Sequence, residues 1–291
     1  MTERELLAGI DAGGTTFKCV VADRERNIVA RKIVPTAKPD DTMQQCVSFF
    51  AEYKTQLSAL GIGSFGPLDT DPTSETYGTI LNTPKPDWSM TPIRTTFERE
   101  LQIPVSIDTD VNAALRAELA SGAAKGVRSA AYITVGTGIG AGISIDGVIV
   151  SNPKHPEFGH IAVRRHPLDS DFEGVCPFHA DCLEGLASAA AFEARHGDAR
   201  SLPVNHIGWG IEANYLAQAC MSLVATLRLE RIILGGGLMQ AANLISLVRA
   251  EFIDLNADYL PISKTEVSAL ISLPGHGADA GVRGAIEIAF R

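Results

Sequence analysis

Two glycine-rich turns in the sequence combine the residue types that bind phosphate. Each follows an apolar run typical of a strand, and glycine there lets the backbone approach phosphate oxygens while hydroxyls donate to them. Asp11 precedes the first turn. Either turn alone is also typical of an ordinary β-hairpin, so the prediction depends on finding two. The candidate residues are Gly13, Gly14, Thr15 and Thr16 in the first turn and Gly136, Thr137 and Gly138 in the second.

A dinucleotide-binding fold is the alternative for the second turn. Gly136-x-Gly138-x-x-Ala141 fits its fingerprint loosely, but that fingerprint requires a helix directly after the glycines. Residues 143–150 instead alternate between apolar and polar types, which predicts a strand. The sequence also has no Gly-x4-Gly-Lys-Ser/Thr motif. We therefore expect hairpin turns to bind the phosphates.

A third glycine turn follows a strand that reads as buried. It consists of Gly235, Gly236 and Gly237. Such a turn would let a flat group such as adenine or ribose approach the backbone, although a simple strand-to-helix turn has the same composition. This turn supports the prediction of a nucleotide site mainly because it is the third glycine turn at a strand end.

Soft metal ligands are concentrated in one short segment. Cys176-x-x-His179-x-x-Cys182 supplies three of them, and His160 lies upstream. Four nitrogen and sulfur ligands suit a closed, tetrahedral, structural Zn²⁺ site. The alternative is a set of buried thiols without a metal.

Composition limits the class of protein. The chain has 291 residues, which predicts two lobes, and its net charge of −9 argues against nucleic-acid binding. Its five cysteines are an odd number, which favours reduced thiols or metal ligation over a disulfide framework. The start of the chain has no apolar run long enough for a signal peptide or a membrane span, so we expect a cytoplasmic protein without a membrane partner.

Periodicity predicts alternating strands and helices that bring these groups together. We predict strand, turn and strand over residues 6–22, a further strand from Asn27, and a helix over 42–60. A strand from Ile62 precedes a loop over 69–88. The remaining elements are strands at 104–108, 130–135, 143–150 and from Arg231, and helices over 111–121, capped by Asp110, over 209–227, from Ala242 and over 280–290. The pattern of strand, glycine turn and strand occurs in both halves, which indicates a weak structural repeat.

The order of these motifs resembles that of the ROK family of sugar kinases over essentially the whole chain. The resemblance is carried by Asp11-x-Gly-Gly-Thr, Gly66-Pro67, Asp110 in Asp-Thr-Asp-Val-Asn, the Gly136 turn, Glu157-x-Gly159-His160, the Cys176–Glu184 segment and Gly235-Gly-Gly. Thr83-Pro84-Lys85-Pro86-x-Trp88 and Cys176-Pro-Phe-His179-x-Asp-Cys182-Leu-Glu-Gly are similar to the zinc-containing bacterial fructokinases.

The resemblance implies an α/β, actin-like (ribonuclease H-like) ATPase fold with two lobes and an interlobe cleft. Residues 1–113 with 278–291 would form the smaller lobe and 114–277 the larger one. It also implies phosphorylation of a hexose by Mg²⁺-ATP, with D-fructose converted to fructose 6-phosphate, and a homodimer. Mannose, glucose and N-acetylhexosamines remain alternative substrates.

Residue roles follow from the same resemblance. Asp110 matches the general base, a role compatible with capping a helix, and Asp108 is the rival carboxylate. Asp11 would orient Mg²⁺ through water, with a turn-stabilising role as the alternative. Sugar hydroxyls would be bound by Gly66, Asp110, Glu157, His160 and Glu184.

Two positions depart from the family pattern. Thr16 stands where the family has lysine, and Lys18, on the same strand face, could replace its phosphate contact. Ala189-Ala190 stands in place of the Gly-Pro expected in fructokinases. A non-catalytic sugar-responsive regulator is the alternative from another class, but the first strand begins at about residue 6 and leaves no room for a helix-turn-helix.

Overall fold

The computed structural model describes residues 6–151, 154–241 and 243–290. Its strands are β1 (Leu6–Ala12), β2 (Thr16–Ala22), β3 (Ile28–Pro35), β4 (Leu57–Ser64), β5 (Val105–Thr109), β6 (Ala130–Val135), β7 (Ile139–Ile145), β8 (Val148–Ile149), β9 (Arg231–Gly235) and β10 (Ile271–Ser272). Its α-helices are α1 (Pro39–Ala51), α2 (Ile93–Leu101), α3 (Asp110–Ser121), α4 (Leu183–Ala187), α5 (Ala189–His196), α6 (Gly208–Leu227), α7 (Leu244–Asn256), α8 (Lys264–Leu270) and α9 (Ala280–Ala289).

The first of two compact units contains Met1–Gly122, Val150–His155 and Ala278–Arg291. Its sheet has the strand order β3-β2-β1-β4-β5, with β1 antiparallel to β2 and parallel to β4. Alternate residues of β1 pack against opposite sides, because strand side chains point to the two faces in turn. Ala8 and Ile10 join a core with α1 and α2, whereas Leu7 packs with Val282 and Ile286 of α9.

The second unit contains Ala123–Ile149 and Pro156–Gly277. Its sheet has the order β10-β9-β6-β7-β8, with β6 antiparallel to β7 and parallel to β9. The core of this unit includes buried aromatic residues from α5, α6 and α7, namely Phe192, Trp209, Tyr215 and Phe252.

The two sheets share one topology. In each, a hairpin formed by the first two strands of the unit is extended by a third antiparallel strand, and the first strand has a parallel neighbour on its other side. This confirms the predicted repeat of strand, glycine turn and strand. The predicted lobe boundaries stay a prediction.

The predicted helix over 42–60 is wrong in its second half. Helix α1 ends at Ala51, and Leu57–Ser64 form β4 between β1 and β5. A strand flanked by parallel neighbours is buried on both faces, so its sequence lacks the alternation that marks half-exposed strands. The apolar spacing that continues to Tyr53 ends in a turn rather than in a longer helix.

Other predicted boundaries also shift. Thr109, not Asp110, is the N-cap of α3, and its side chain accepts from the Asn112 N–H at 3.3 Å. The strand predicted over 143–150 begins earlier, at Ile139, and is broken at residues 146–147. Ala242, where the next helix was predicted to start, lies outside the described residues, and α7 begins at Leu244. Among the described helices none combines the length and apolar character needed to cross a membrane.

Candidate active site

Two carboxylates of the first unit lie at the ends of neighbouring elements. Asp11 is the next-to-last residue of β1, and Asp110 is the first residue of α3, directly after β5. Strands β1, β4 and β5 run parallel, so their carboxyl ends share one edge of the sheet. The Oδ1 atom of Asp110 accepts from the Val111 N–H at 2.8 Å.

Asp11 also lies against the first turn of α9. A Cβ atom added at Gly281 would be 2.6 Å from both Cγ and Oδ2 of Asp11, closer than such atoms approach. Gly281 therefore makes room for the carboxylate at a helix N-terminus, where the helix dipole favours a negative charge. No local sequence pattern indicates this contact between β1 and α9.

Burial and neighbouring charges shift the pKa values of both carboxylates. Burial, and next the charge of Asp11, raise the pKa of Asp110 to about 7. Burial also raises the pKa of Asp11, while Lys18, whose Nζ lies 3.3 Å from Oδ2 of Asp11, acts in the opposite direction. A carboxylate with a pKa near neutrality is well suited to accept a proton and release it again.

Asp108 has a different environment although it lies two residues from Asp110. Its carboxylate accepts from the Asn112 side chain, from the Thr109 N–H and from Arg116, each within 2.8 Å. These contacts occupy both oxygens of Asp108. The geometry therefore favours Asp110 over Asp108 as the group available to a substrate.

The first glycine turn closes the β1–β2 hairpin. The Gly13 N–H donates to the Thr16 carbonyl at 3.0 Å, and the Thr36 hydroxyl donates to the Gly13 carbonyl at 2.8 Å. Gly14 and Thr15 are exposed at its tip. Lys18 points to Asp11 and donates to the Ala278 carbonyl at 3.3 Å, so it is held close to this turn.

The second glycine turn borders a cavity of about 810 Å³ in the second unit. Gly136, Thr137 and Gly237 line it, whereas Gly235 is buried against Tyr132 and Gly138 packs against Glu184. Gly235 pairs with Thr134 in the parallel β6–β9 register, which brings the second and third glycine turns to the same edge of the sheet. The predicted nucleotide residues of this unit are thus neighbours.

Several residues that line this cavity were missed by sequence reasoning. The indole of Trp209 donates to the Pro203 carbonyl at 3.0 Å, and the Asn243 side chain donates to the Val204 carbonyl at 2.6 Å. These bonds fix the segment after residue 198 along one wall. No motif marks either bond in the sequence, although Trp209 and Pro203 are only six residues apart, whereas Asn243 and Val204 are 39 apart. The other polar side chains of the lining are Glu193, Asp198, Arg200 and Gln240.

The candidate sugar-binding residues lie in two places. Gly66 is exposed in the first unit, where its carbonyl accepts from the Thr83 hydroxyl at 3.3 Å. Glu157 is exposed and precedes the short 3₁₀ turn Phe158–His160 of the second unit. Glu184 is in the first turn of α4, and its Oε2 accepts from the Ile139 N–H at 2.9 Å.

The four predicted metal ligands converge. One ligand atom from each of His160, Cys176, His179 and Cys182 lies within 4.8 Å of the other three. The Nδ1 atom of His160 is 3.5 Å from Sγ of Cys182 and 3.8 Å from Sγ of Cys176, which is also 3.8 Å from Nδ1 of His179. Zinc–ligand bonds of about 2.1–2.3 Å in a tetrahedron separate ligands by about 3.6 Å, so the cluster fits Zn²⁺.

Comparison with known proteins agrees with this arrangement. The ROK family pattern matches residues 7–291. A fructokinase of Zymomonas mobilis is 39% identical over 299 residues, covering 99% of this chain and 97% of the relative. A fructokinase of Streptococcus mutans is 40% identical over 261 residues, covering 89% and 88%. The ROK family glucokinase of Streptomyces griseus, solved with glucose and AMPPNP, has a TM-score of 0.78 at 24% identity and covers 98% and 99%.

The paired sheets and these comparisons define a sugar kinase with the actin-like, two-lobed fold, which confirms the predicted fold class. The chain belongs to the ROK family.

Proposed function

We propose that this protein is an ATP-dependent fructokinase that converts D-fructose to fructose 6-phosphate. The observation that carries the proposed chemistry is the pair of carboxylates, Asp11 and Asp110, in which Asp110 has a pKa of about 7. The named activity of relatives that are about 40% identical supports fructose as the sugar.

In the proposed reaction Asp110 is the general base. It accepts the proton of the 6-hydroxyl while that oxygen forms a bond to the γ-phosphorus and the bond from the γ-phosphorus to the bridging oxygen breaks. ADP leaves with the electrons of that bond. Little covalent chemistry is needed from the protein, so positioning and charge stabilisation dominate the catalysis.

The nucleotide would bind along the cavity of the second unit lined by Gly136, Thr137 and Gly237. The glycine turn over residues 13–16 of the first unit stays a predicted phosphate contact. Lys18 would supply the positive charge that Thr16 lacks. Mg²⁺ bound with ATP neutralises the phosphate charge, and Asp11 would hold it through water, because Mg²⁺ keeps several of its waters.

Glu157, His160 and Glu184, with Gly66, would bind sugar hydroxyls. His160 serves two functions in this proposal, since Nδ1 faces the cysteine sulfurs and Nε2 is left for the sugar. Zn²⁺ held by His160, Cys176, His179 and Cys182 would have a structural role.

An assay of ADP production with Mg²⁺-ATP and a panel of hexoses tests the proposal. We expect the highest kcat/KM with D-fructose, and lower values with mannose, glucose and N-acetylhexosamines. ADP production with none of these sugars would contradict kinase activity, and a preference for glucose would reassign the substrate. Light scattering tests the predicted homodimer, and cytoplasmic residence likewise stays a prediction.

A further inference from the structure

The short helix α4 lies between the metal-ligand cluster and the second glycine turn. On the side of the cluster, Cys182 directly precedes α4, and the Val175 N–H donates to the Gly185 carbonyl at 3.0 Å. The Leu183 N–H donates to the Ile161 carbonyl at 2.9 Å, one residue after His160. The position of α4 is therefore set by the residues that hold the ligands.

On the other side, α4 and the start of α5 hold both ends of the glycine turn. Glu184 accepts from the Ile139 N–H at 2.9 Å, directly after the turn, and the Ala189 N–H donates to the Gly136 carbonyl at 2.8 Å. Gly138 packs on the carboxylate so closely that an added Cβ would be 2.5 Å from Oε2. The turn thus rests on Glu184.

The Glu184 carboxylate lies beside a turn that is proposed to bind phosphate, which is electrostatically unfavourable. Its charge repels the phosphates of a nucleotide, and this repulsion acts against binding. A charge-assisted hydrogen bond to a backbone N–H is stronger than a neutral one, however, so Glu184 is suited to fixing the turn. A rigid turn loses less entropy when a ligand binds.

We propose that Glu184 is a positioning residue that couples the metal-ligand cluster to the nucleotide turn, so that Zn²⁺ bound by the cluster raises the affinity for nucleotide even without sugar. This inference rests on the proposed function and deepens it. Loss of the metal loosens the segment before α4, α4 no longer holds Glu184 against Ile139, and the turn loses its support.

The experiment measures AMPPNP binding by titration calorimetry in the absence of sugar, on the full chain. For Glu184→Ala we expect the Kd to rise about tenfold, because the bond to the Ile139 N–H is lost. For Glu184→Gln we expect a Kd equal to or below that of the wild type, since the amide oxygen still accepts while the repelling charge is gone. Glu173→Ala, which removes an exposed carboxylate of the same unit, is the control and should bind as the wild type does.

The metal is tested on the same variants. Chelation should raise the wild-type Kd about tenfold, and added Zn²⁺ should restore it. In Glu184→Ala, chelation should raise the Kd for AMPPNP less than twofold further. The effects of removing the metal and removing Glu184 are not additive if both act through the same contact. If Glu184→Ala does not fold, Glu184→Asp, whose side chain is one methylene too short to reach the Ile139 N–H, replaces it in the test.

Equal Kd values for the wild type and Glu184→Ala would overturn the inference, as would an additive effect of chelation or a wild-type protein that takes up no zinc. These results leave fructose phosphorylation intact. A wild-type protein that produces no ADP with any hexose would instead defeat the proposed function.

Discussion

Arg116 binds the carboxylate of Asp108 at 2.7 Å, and the two side chains are only 11% and 10% exposed. This buried ion pair holds the end of β5 in place. Asp110, two residues later, is not part of the pair. Its assignment as the general base depends on this difference, and the two aspartates can be tested against each other.

Asp110→Asn should lower kcat by about 10²–10⁴-fold, with much smaller changes in the binding of sugar and ATP, because the amide cannot accept a proton. Since Thr109 is the N-cap of α3, the change should cost little stability. Asp108→Asn is the matched control. It should lower stability by about 1.5–3 kcal/mol through the loss of a partner for Arg116, and leave kcat nearly normal. A loss of turnover confined to the Asp108 variant would move the assignment to Asp108.

The activity should depend on pH through Asp110. Burial and the charge of Asp11 raise its pKa to about 7, and a general base must be deprotonated to act. We therefore expect kcat/KM for fructose to rise with pH along a limb with an apparent pKa of about 7, measured from pH 5.5 to 8.5 at saturating Mg²⁺-ATP. A profile that is flat over this range is incompatible with the assignment.

Purified protein should contain about one zinc ion per chain, measured by elemental analysis. Cys176→Ser should lose the metal and lower the midpoint of thermal unfolding. Cys220→Ala removes a buried cysteine of α6, outside the cluster, and should retain the metal. Equal zinc content in both variants would exclude the cluster as the binding site.

Gly281→Ala should lower kcat by about 10–100-fold, because the new Cβ displaces the Asp11 carboxylate and errors of about 1 Å in a catalytic group are costly. Gly210→Ala is the control. It places the same methyl group in α6, where no neighbour from the described part of the chain lies within 4 Å, and should raise stability by up to about 1 kcal/mol. Normal turnover in the Gly281 variant would show that the position of Asp11 is not critical.

Glu212 should make stability depend on pH. It is fully buried, and both carboxylate oxygens lack a hydrogen-bond partner among the described residues. Burial raises the pKa of Glu212 well above its usual value, although Arg195, 4.0 Å away, opposes the shift. A raised carboxyl pKa gives stability at low pH that is lost as pH rises through the folded value. Unfolding midpoints of Glu212→Gln and the wild type should therefore diverge between pH 5 and 9, with the variant relatively more stable at high pH, whereas parallel curves would contradict this.

The sequence predicted local features well. The first two glycine turns join antiparallel strands, and the apolar runs of β1 and β2 beside the first turn are typical of strands, so both features could be recognised. The metal-ligand cluster could be found because three of its ligands lie within one short segment. The helix predicted through residue 60 failed because the buried strand β4 has no alternation to mark it.

Contacts between distant segments could not be predicted. The bond from Ile139 to Glu184 and the approach of Gly281 to Asp11 depend on packing that no local pattern encodes. The same is true of Asn243, whose hydrogen bond to the Val204 carbonyl shapes the cavity. These residues have ordinary types in ordinary elements, and only their three-dimensional neighbours give them a role.

The hydrogen bond from Lys18 to the Ala278 carbonyl joins residues 260 positions apart. A ribosome adds about 5–20 residues each second, so about 15–50 s separate the synthesis of the two partners. Throughout that interval β1 and β2 have no α9 to cover Leu7 and Val20. During translation, the unit that carries both carboxylates therefore completes its core after the whole of the other unit has been made, and the nascent chain must protect this apolar surface until then.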